Sequence, residues 1–127
     1  MKLEHIAIVV SDIQRAKDFF TKYFACTQGA DYYNPRTGLH SCFVSFDGEA
    51  RIELMKWDGV DFTPSKLNDK VYFHFSISLG SKEQVDNLTS RLQSDGFTVK
   101  SGPRTTGDGY YESAISIFDG IELELTV

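Results

Sequence analysis

The feature that most constrains the fold of this 127-residue chain is a pattern that occurs twice. His5 lies in the apolar run LEHIAIVV, and His74 lies in VYFHFSISL, 69 positions later. Phe-Asp-Gly followed by a glutamate-bearing apolar segment also occurs twice, in FDGEARIELM at 46–55 and FDGIELELTV at 118–127. His5 and Glu53 are 48 residues apart, and His74 and Glu124 are 50 apart. A duplicated module with a slip of two residues explains all four positions.

Each histidine segment ends at a serine that predicts the start of an amphipathic helix. Ser11-Asp-Ile-Gln14 and Ser81-Lys-Glu-Gln84 both match the capping box, in which the serine and glutamine side chains satisfy free backbone donors. Apolar residues recur at helical spacing after each serine, and Gly96 is placed to end the second helix. The order strand, helix, three strands therefore predicts module 1 at about residues 1–58 and module 2 at about 70–127.

Alternation along the strands predicts the face that each side chain takes. One face of each strand is apolar and suits packing under a helix. The opposite faces carry His5, Glu53, His74 and Glu124. If the sheets curl with the helices outside, these second faces converge in a cleft that suits a divalent cation. The alternative is that they simply meet water, as one face of many antiparallel sheets does.

Composition excludes several other classes of protein. Hydrophobic residues make up 41% and charged residues 24%, which is ordinary for a globular protein, and the net charge of −5 argues against nucleic acid or an anionic membrane as the partner. No apolar stretch approaches the roughly 20 residues that span a bilayer. The start, MKLEHIAIVVSD, is too short and too soon interrupted by charge to be a signal peptide. Cys26 and Cys42 are expected to be free thiols in a reducing cytoplasm.

The chain resembles the vicinal oxygen chelate superfamily, which includes glyoxalase I, fosfomycin-resistance proteins, extradiol dioxygenases, methylmalonyl-CoA epimerase and bleomycin-resistance proteins. The resemblance runs through LEHIAIVVSDIQRAKDFFTKYF, SFDGEARIELM, HFSISLGSKEQVDNLTSRLQSDGF and GPRTTGDGYYESAISIFDGIELEL. It implies an α+β fold, in which two βαβββ modules form one domain with a curled mixed sheet around a metal cleft and the helices outside. It also implies a homodimer.

Within the superfamily, the resemblance is closest to glyoxalase I (lactoylglutathione lyase)-like proteins. Bacterial glyoxalase I uses His, Glu, His and Glu as metal ligands, and the matching positions here are His5, Glu53, His74 and Glu124. Fosfomycin-resistance proteins and dioxygenases use two histidines and one glutamate, and the epimerase has glutamine in place of Glu53. Glu122 shares the face of Glu124 and is a second-choice ligand. This donor set suits Ni(II) or Zn(II), with Co(II) and Mn(II) as alternatives.

The resemblance implies isomerisation of a hemithioacetal, formed from a 2-oxoaldehyde and a thiol, into a 2-hydroxyacyl thioester. Removing a proton beside a carbonyl builds negative charge on neighbouring oxygens, which a cation stabilises. Glu124 is the first candidate for the base that moves the proton, and Glu53 is its counterpart. Two alternatives stay open: a metal-dependent transferase or hydrolase of the fosfomycin-resistance type, and a non-catalytic binder of small molecules.

Several residues are candidates for contact with the substrate. Met55 and Trp57 would form an apolar wall or pack a dimer contact. The segment SGPRTTGDGYYES is either a flexible turn or a lid that offers Arg104 and Tyr110 to an anionic substrate. Val9 and Trp57 stand where glyoxalase I typically has an arginine and an asparagine that bind glutathione. The metal set is therefore retained without the glutathione set.

A second candidate cluster lies in module 1. His40 and Cys42 are two residues apart in TGLHSCF and could point to the same face of a strand. They could form a nucleophilic pair, and the alternative is ordinary packing in the strand. Arg36, in DYYNPRTGLHS, could serve module 1 as a lid residue in the way that Arg104 would serve module 2.

Overall fold

A computed structural model describes residues 2–47, 50–61, 66–67, 70–71 and 73–127. The chain forms two compact units, Met1–Thr63 and Pro64–Val127. Each unit combines a helix with a mixed β-sheet, which confirms the predicted α+β class. Gly48, in the first Phe-Asp-Gly, and Tyr72, in VYFHFSISL, belong to the predicted repeat but lie outside the described residues.

Among its described residues, unit 1 contains one helix and five strands. They are β1 (His5–Val9), α1 (Ile13–Tyr23), β2 (Cys26–Gln28), β3 (Tyr32–Asn34), β4 (Leu39–Phe46) and β5 (Arg51–Trp57). The sheet order is β1-β5-β4-β2, β1 and β5 run parallel, and β3 also pairs with β4. Because β2 and β3 both pair with β4, they occupy the place of one predicted strand, divided into two segments.

Unit 2 repeats this arrangement. Its elements are β6 (Lys66–Leu67), β7 (Lys70–Val71), β8 (His74–Ser78), α2 (Lys82–Ser94), β9 (Thr98–Thr105), β10 (Tyr111–Ser116) and β11 (Glu122–Thr126). Strands β6 and β7 form an antiparallel pair, and the larger sheet has the order β8-β11-β10-β9 with β8 and β11 parallel. In both units the strand that carries the histidine therefore lies beside the strand that carries the glutamate.

Burial follows the predicted alternation along the strands. In β1, Ile8 is buried whereas His5 is exposed; Val10, just after the strand, is buried as well, and in β5 Ile52 and Leu54 are buried. Apolar side chains on these faces pack under the helices, because burying them removes their surface from water. In the part of the chain that the structure describes, the largest fully buried apolar side chains are Val10, Phe20, Val44 and Leu54 in unit 1, and Val85, Leu92, Ile115, Leu123 and Leu125 in unit 2.

The start of α1 differs from the capping-box prediction. Asp12, not Ser11, is the N-cap, and its carboxylate accepts a hydrogen bond of 3.0 Å from the backbone N–H of Arg15. The Ser11 hydroxyl instead accepts a hydrogen bond of 3.2 Å from the Arg15 guanidinium. An aspartate is as good a cap as serine, and its charge also favours the positive end of the helix. In α2 the predicted N-cap is confirmed, since the Ser81 hydroxyl accepts a hydrogen bond of 3.2 Å from the backbone N–H of Gln84.

Helix α2 ends at Ser94, and Gly96 follows it as the predicted terminating glycine. Gly96 has a φ of +94°, which a residue without a Cβ adopts readily. Its N–H donates to the carbonyl of Gln93 at 3.1 Å, and that of Phe97 donates to the carbonyl of Leu92 at 3.0 Å. These two hydrogen bonds form a Schellman motif. Neither helix among the described residues is long and apolar enough to cross a membrane.

Candidate metal centre

Unit 1 places His5 and Glu53 side by side. Strands β1 and β5 pair in parallel, and Glu53 lies opposite Ala7, two residues beyond His5. The Nε2 atom of His5 lies 3.9 Å from a carboxylate oxygen of Glu53. The imidazole is 40% exposed and the carboxylate 19% exposed. Both side chains are therefore accessible from solvent.

Unit 2 contains the same pair at the same register. Glu124 lies opposite Ser76, again two residues beyond the histidine of the parallel partner strand. The Nε2 atom of His74 lies 3.8 Å from a carboxylate oxygen of Glu124. The structure thus brings each histidine next to the glutamate of its own module.

Unit 2 adds a third donor to its pair. Glu122 lies directly opposite His74 in the parallel pairing of β8 with β11. One donor atom from each of His74, Glu122 and Glu124 lies within 4.8 Å of the others. Imidazole nitrogen with carboxylate oxygen is a donor set that suits divalent transition metals, so these residues fit such an ion. In unit 1 the position opposite His5 is taken by Arg51, a cation.

A third carboxylate, that of Glu112, lies near this cluster. Burial raises the pKa of Glu112 above its usual value, and the neighbouring Glu124 carboxylate raises it further. Arg104 opposes this rise, because its guanidinium lies 3.9 Å from a Glu112 carboxylate oxygen. A group of carboxylates with too few cations favours the binding of a positive ion.

Further contacts surround His5 in unit 1. Its Nδ1 atom contacts a carboxylate oxygen of Glu4, and the other oxygen of that carboxylate contacts the Arg51 guanidinium. The hydrogen bond from His5, together with the one from Arg51, holds the pKa of Glu4 below its usual value. Sequence reasoning missed Glu4, although a carboxylate next to a candidate histidine ligand was visible in LEHIAIVV.

The predicted substrate residues are partly exposed. Met55 and Trp57 are half-buried, and the alternation of β5 places them on the face of Glu53. Trp57 also lines a surface cavity of about 710 Å³ together with Lys56 and residues 58–61. In unit 2, Arg104 reaches the Glu112 carboxylate from the neighbouring strand, and Tyr110 is 58% exposed between β9 and β10.

The structure orients His40 through an aspartate that sequence reasoning missed. The Nε2 atom of His40 lies 2.8 Å from Asp58, and the Tyr33 hydroxyl donates to the same carboxylate at 3.1 Å. The His40 contact and then the Tyr33 hydrogen bond lower the pKa of Asp58. The thiol of Cys42 is buried, which raises its pKa, and it donates to the carbonyl of Gly29 at 3.3 Å. These contacts favour strand packing over a nucleophilic pair.

The sequence matches the Glyoxalase/Bleomycin resistance protein/Dioxygenase superfamily over residues 2–125. Because this match covers nearly the whole chain, the protein belongs to that superfamily. The finding confirms the family to which the repeated motifs pointed. No curated protein sequence matches the chain significantly.

Solved structures share the fold across the full chain. The trypanothione-dependent glyoxalase I of Leishmania major is 20% identical, with a TM-score of 0.76 and coverage of 99% of this chain and 86% of that one. A possible glyoxalase from Bacillus cereus is 24% identical, with a TM-score of 0.71 and coverage of 100% and 99%. A mutant of the fosfomycin resistance protein FosX from Listeria monocytogenes, solved with Mn(II) and 1S,2S-dihydroxypropylphosphonic acid, is 21% identical, with a TM-score of 0.73 and coverage of 98% and 90%. At these identities the likeness shows a shared fold.

Proposed function

We propose that this protein is a metal-dependent lyase or isomerase of the glyoxalase I type. Its substrate would be a hemithioacetal derived from a small 2-oxoaldehyde, or a related molecule with adjacent oxygens. One observation carries the proposal: the histidine–glutamate pair occurs in both modules at the same register, with separations of 3.9 and 3.8 Å. The membership of the superfamily supports it.

The proposed metal ligands are His5, Glu53, His74 and Glu124, contributed by one chain or by the two protomers of a dimer. Two imidazoles and two carboxylates suit Ni(II) or Zn(II), with Co(II) and Mn(II) as alternatives. When bound, such an ion supplies a positive charge that stabilises negative charge on the adjacent oxygens of a substrate. The side chains of both histidine–glutamate pairs are partly exposed, so an ion and a substrate can reach them from solvent.

The remaining roles follow from the chemistry of the side chains. Glu124 is the proposed base that takes a proton from one substrate carbon and returns it to the next, and Glu53 is its counterpart. Their side chains are 21% and 19% exposed, so they are accessible to a substrate. Met55 and Trp57 would contact its apolar part. Arg104 and Tyr110 would contact an anionic group.

The thiol is expected to be something other than glutathione. Val9, where glyoxalase I typically carries an arginine, is half-buried and apolar, and Trp57 replaces the typical asparagine. These side chains bind a carboxylate or an amide poorly. A smaller or less polar thiol therefore fits the proposed reaction better.

The proposed assembly is a homodimer in a reducing cytoplasm. A partner would cover the sheet edges that each module leaves unpaired. Cys26 and Cys42 are both free thiols, as the sequence predicted, which suits a reducing compartment.

Metal analysis of protein purified without added metal tests the proposal. Wild type should retain a divalent ion, and His5→Ala and His74→Ala should each lose most of it. His40→Ala is the matched control, because this histidine is bound to Asp58 and lies outside the proposed ligand set. Metal content below about a tenth of an equivalent in wild type would instead indicate a non-catalytic binder.

A second candidate is a metal-dependent enzyme that opens an electrophilic antibiotic such as an epoxide. The observation that favours it is the likeness of fold to FosX, which was solved with Mn(II) and a phosphonic acid. Arg104, 49% exposed, could bind such a phosphonate. Incubation of the Mn(II)-loaded protein with fosfomycin, alone and with thiols, separates the two functions by the product that forms.

A further inference from the structure

Glu4 connects the two parallel strands at the histidine of unit 1. One of its carboxylate oxygens contacts Nδ1 of His5 and the other contacts the guanidinium of Arg51. The backbone carbonyl of Glu4 also accepts a hydrogen bond of 3.0 Å from the N–H of Arg51. Arg51 lies opposite His5 in the strand pairing. Glu4 is thus fixed to β5 at its main chain and at its side chain.

The ring of Phe43 contacts both Arg51 and His5. The Arg51 guanidinium lies 4.1 Å from the centre of the Phe43 ring, a distance typical of a cation–π contact. The His5 ring meets Phe43 edge-on, with 5.4 Å between centroids and 89° between planes. The imidazole is therefore restrained both by a polar contact at Nδ1 and by an aromatic contact.

These contacts determine which nitrogen of the His5 imidazole keeps a lone pair that can bind a metal. An ionised carboxylate only accepts hydrogen bonds, so the Nδ1 atom that faces Glu4 carries the proton in a neutral imidazole. The lone pair then resides on Nε2, the atom that lies 3.9 Å from Glu53. Carboxylates that contact the outer nitrogen of a ligating histidine commonly fix its tautomer and its ring orientation.

We propose that Glu4, held by Arg51, is a positioning residue that fixes His5 in the Nδ1–H tautomer and presents Nε2 to the metal. The role in metal binding rests on the proposed function, whereas the choice of tautomer does not. The two modules differ in this respect. Phe73 precedes His74 and offers no acceptor side chain, and Glu122 takes the position of Arg51.

The tautomer is measured by NMR on the metal-free protein with ¹⁵N-labelled imidazoles, at about pH 9, where an ordinary histidine is neutral. In wild type, His5 should show a protonated Nδ1 and an unprotonated Nε2. In Glu4→Ala this preference should be lost, and Glu4→Gln, which keeps an acceptor oxygen, should retain more of it. His74 in the same spectra is the internal control and should not change. A wild-type His5 protonated at Nε2, or one unaffected by Glu4→Ala, overturns the proposal.

Metal affinity is measured separately, by Zn(II) titration against a competing chelator. Glu4→Ala should weaken binding by about 10- to 100-fold, the usual effect of removing such an outer contact. Asp18→Ala is the control for loss of a negative charge, because Asp18 is exposed on α1 and its carboxylate accepts a hydrogen bond of 2.7 Å from the side chain of Gln14. Equal affinity in Glu4→Ala and Asp18→Ala overturns the role in metal binding. If wild type binds no Zn(II), the proposed centre fails, and the NMR result still decides whether Glu4 positions His5.

Discussion

Replacing Glu124 with glutamine should weaken divalent-metal binding far more than replacing Glu122. Both carboxylates lie on the same half-buried face of β11, and each offers an oxygen to the cluster with His74 that spans at most 4.8 Å. Glutamine keeps the size of glutamate and removes its charge. Because the two variants lose the same charge, the difference between them reports direct coordination. Glu124 is the predicted ligand, since its register matches that of Glu53 in unit 1.

Coulomb's law gives the size of each effect. His74 is 58% exposed and Glu124 21%, so the dielectric constant of water sets a lower limit on each effect. A carboxylate about 5 Å from a divalent ion then contributes about 1.7 kcal/mol, which is roughly fifteenfold in affinity. At a coordination distance of about 2.1 Å, the same relation gives about 4 kcal/mol, or roughly a thousandfold. Glu124→Gln should therefore bind the metal roughly fiftyfold more weakly than Glu122→Gln.

A competition titration with Zn(II) and a chromophoric chelator, at fixed ionic strength, measures both variants. Glu83→Gln is the matched control, because this exposed glutamate lies in the first turn of α2. It should bind Zn(II) as wild type does. Equal losses in Glu122→Gln and Glu124→Gln would show that the cluster acts through charge alone. A larger loss in Glu122→Gln would refute the assignment of ligands by register.

Three further predictions concern stability, assembly and substrate. Thr89→Val should lower the free energy of unfolding by about 1–3 kcal/mol in urea denaturation, because the buried Ser113 hydroxyl lies 2.6 Å from Thr89 Oγ1 and would lose that partner. Adding Ser113→Ala should recover part of this loss, and an additive loss would contradict the reasoning. Light scattering at micromolar concentration should give twice the mass of 14.3 kDa, and a species of 14.3 kDa alone would exclude the dimer. With methylglyoxal, glutathione should support well under a hundredth of a typical glyoxalase I rate. Val9 and Trp57 each remove a contact with glutathione, and the charged contact that Val9 removes is worth about 1.5–3 kcal/mol. Efficient turnover with glutathione would contradict it.

The sequence predicted the architecture of each module because the signals involved are local. Alternation in β1 and β5 identified the buried faces, since successive side chains of a strand point in opposite directions. The helix ends at Ser81 and Gly96 were identified from residues within one turn of each end. Local signals also caused one error: Ser11 and Asp12 are adjacent candidate caps, and spacing alone did not show that Asp12 is used.

Some features were decided by tertiary structure alone. The division of the predicted strand into β2 and β3 depends on how both pair with β4: β3 forms a local hairpin with it, whereas β2 pairs with residues 16 to 20 positions further along the chain. The contacts of His40 with Asp58 and of Glu4 with Arg51 join residues that are 18 and 47 positions apart. Side chains so distant in sequence meet only if the strands pair at one particular register.

In the candidate metal centre, too, some features follow from the sequence and others only from the tertiary structure. The sequence by itself determined its residue types and their repetition, because His5, Glu53, His74 and Glu124 could be read from the motifs. The tertiary structure decided that the histidine and glutamate of each module lie 3.9 and 3.8 Å apart. It also decided which residue lies opposite each histidine: Glu122 opposite His74 in unit 2, and Arg51 opposite His5 in unit 1. The physical reason is that these distances depend on pairing two strands more than 40 residues apart, which alternation within a single strand does not specify.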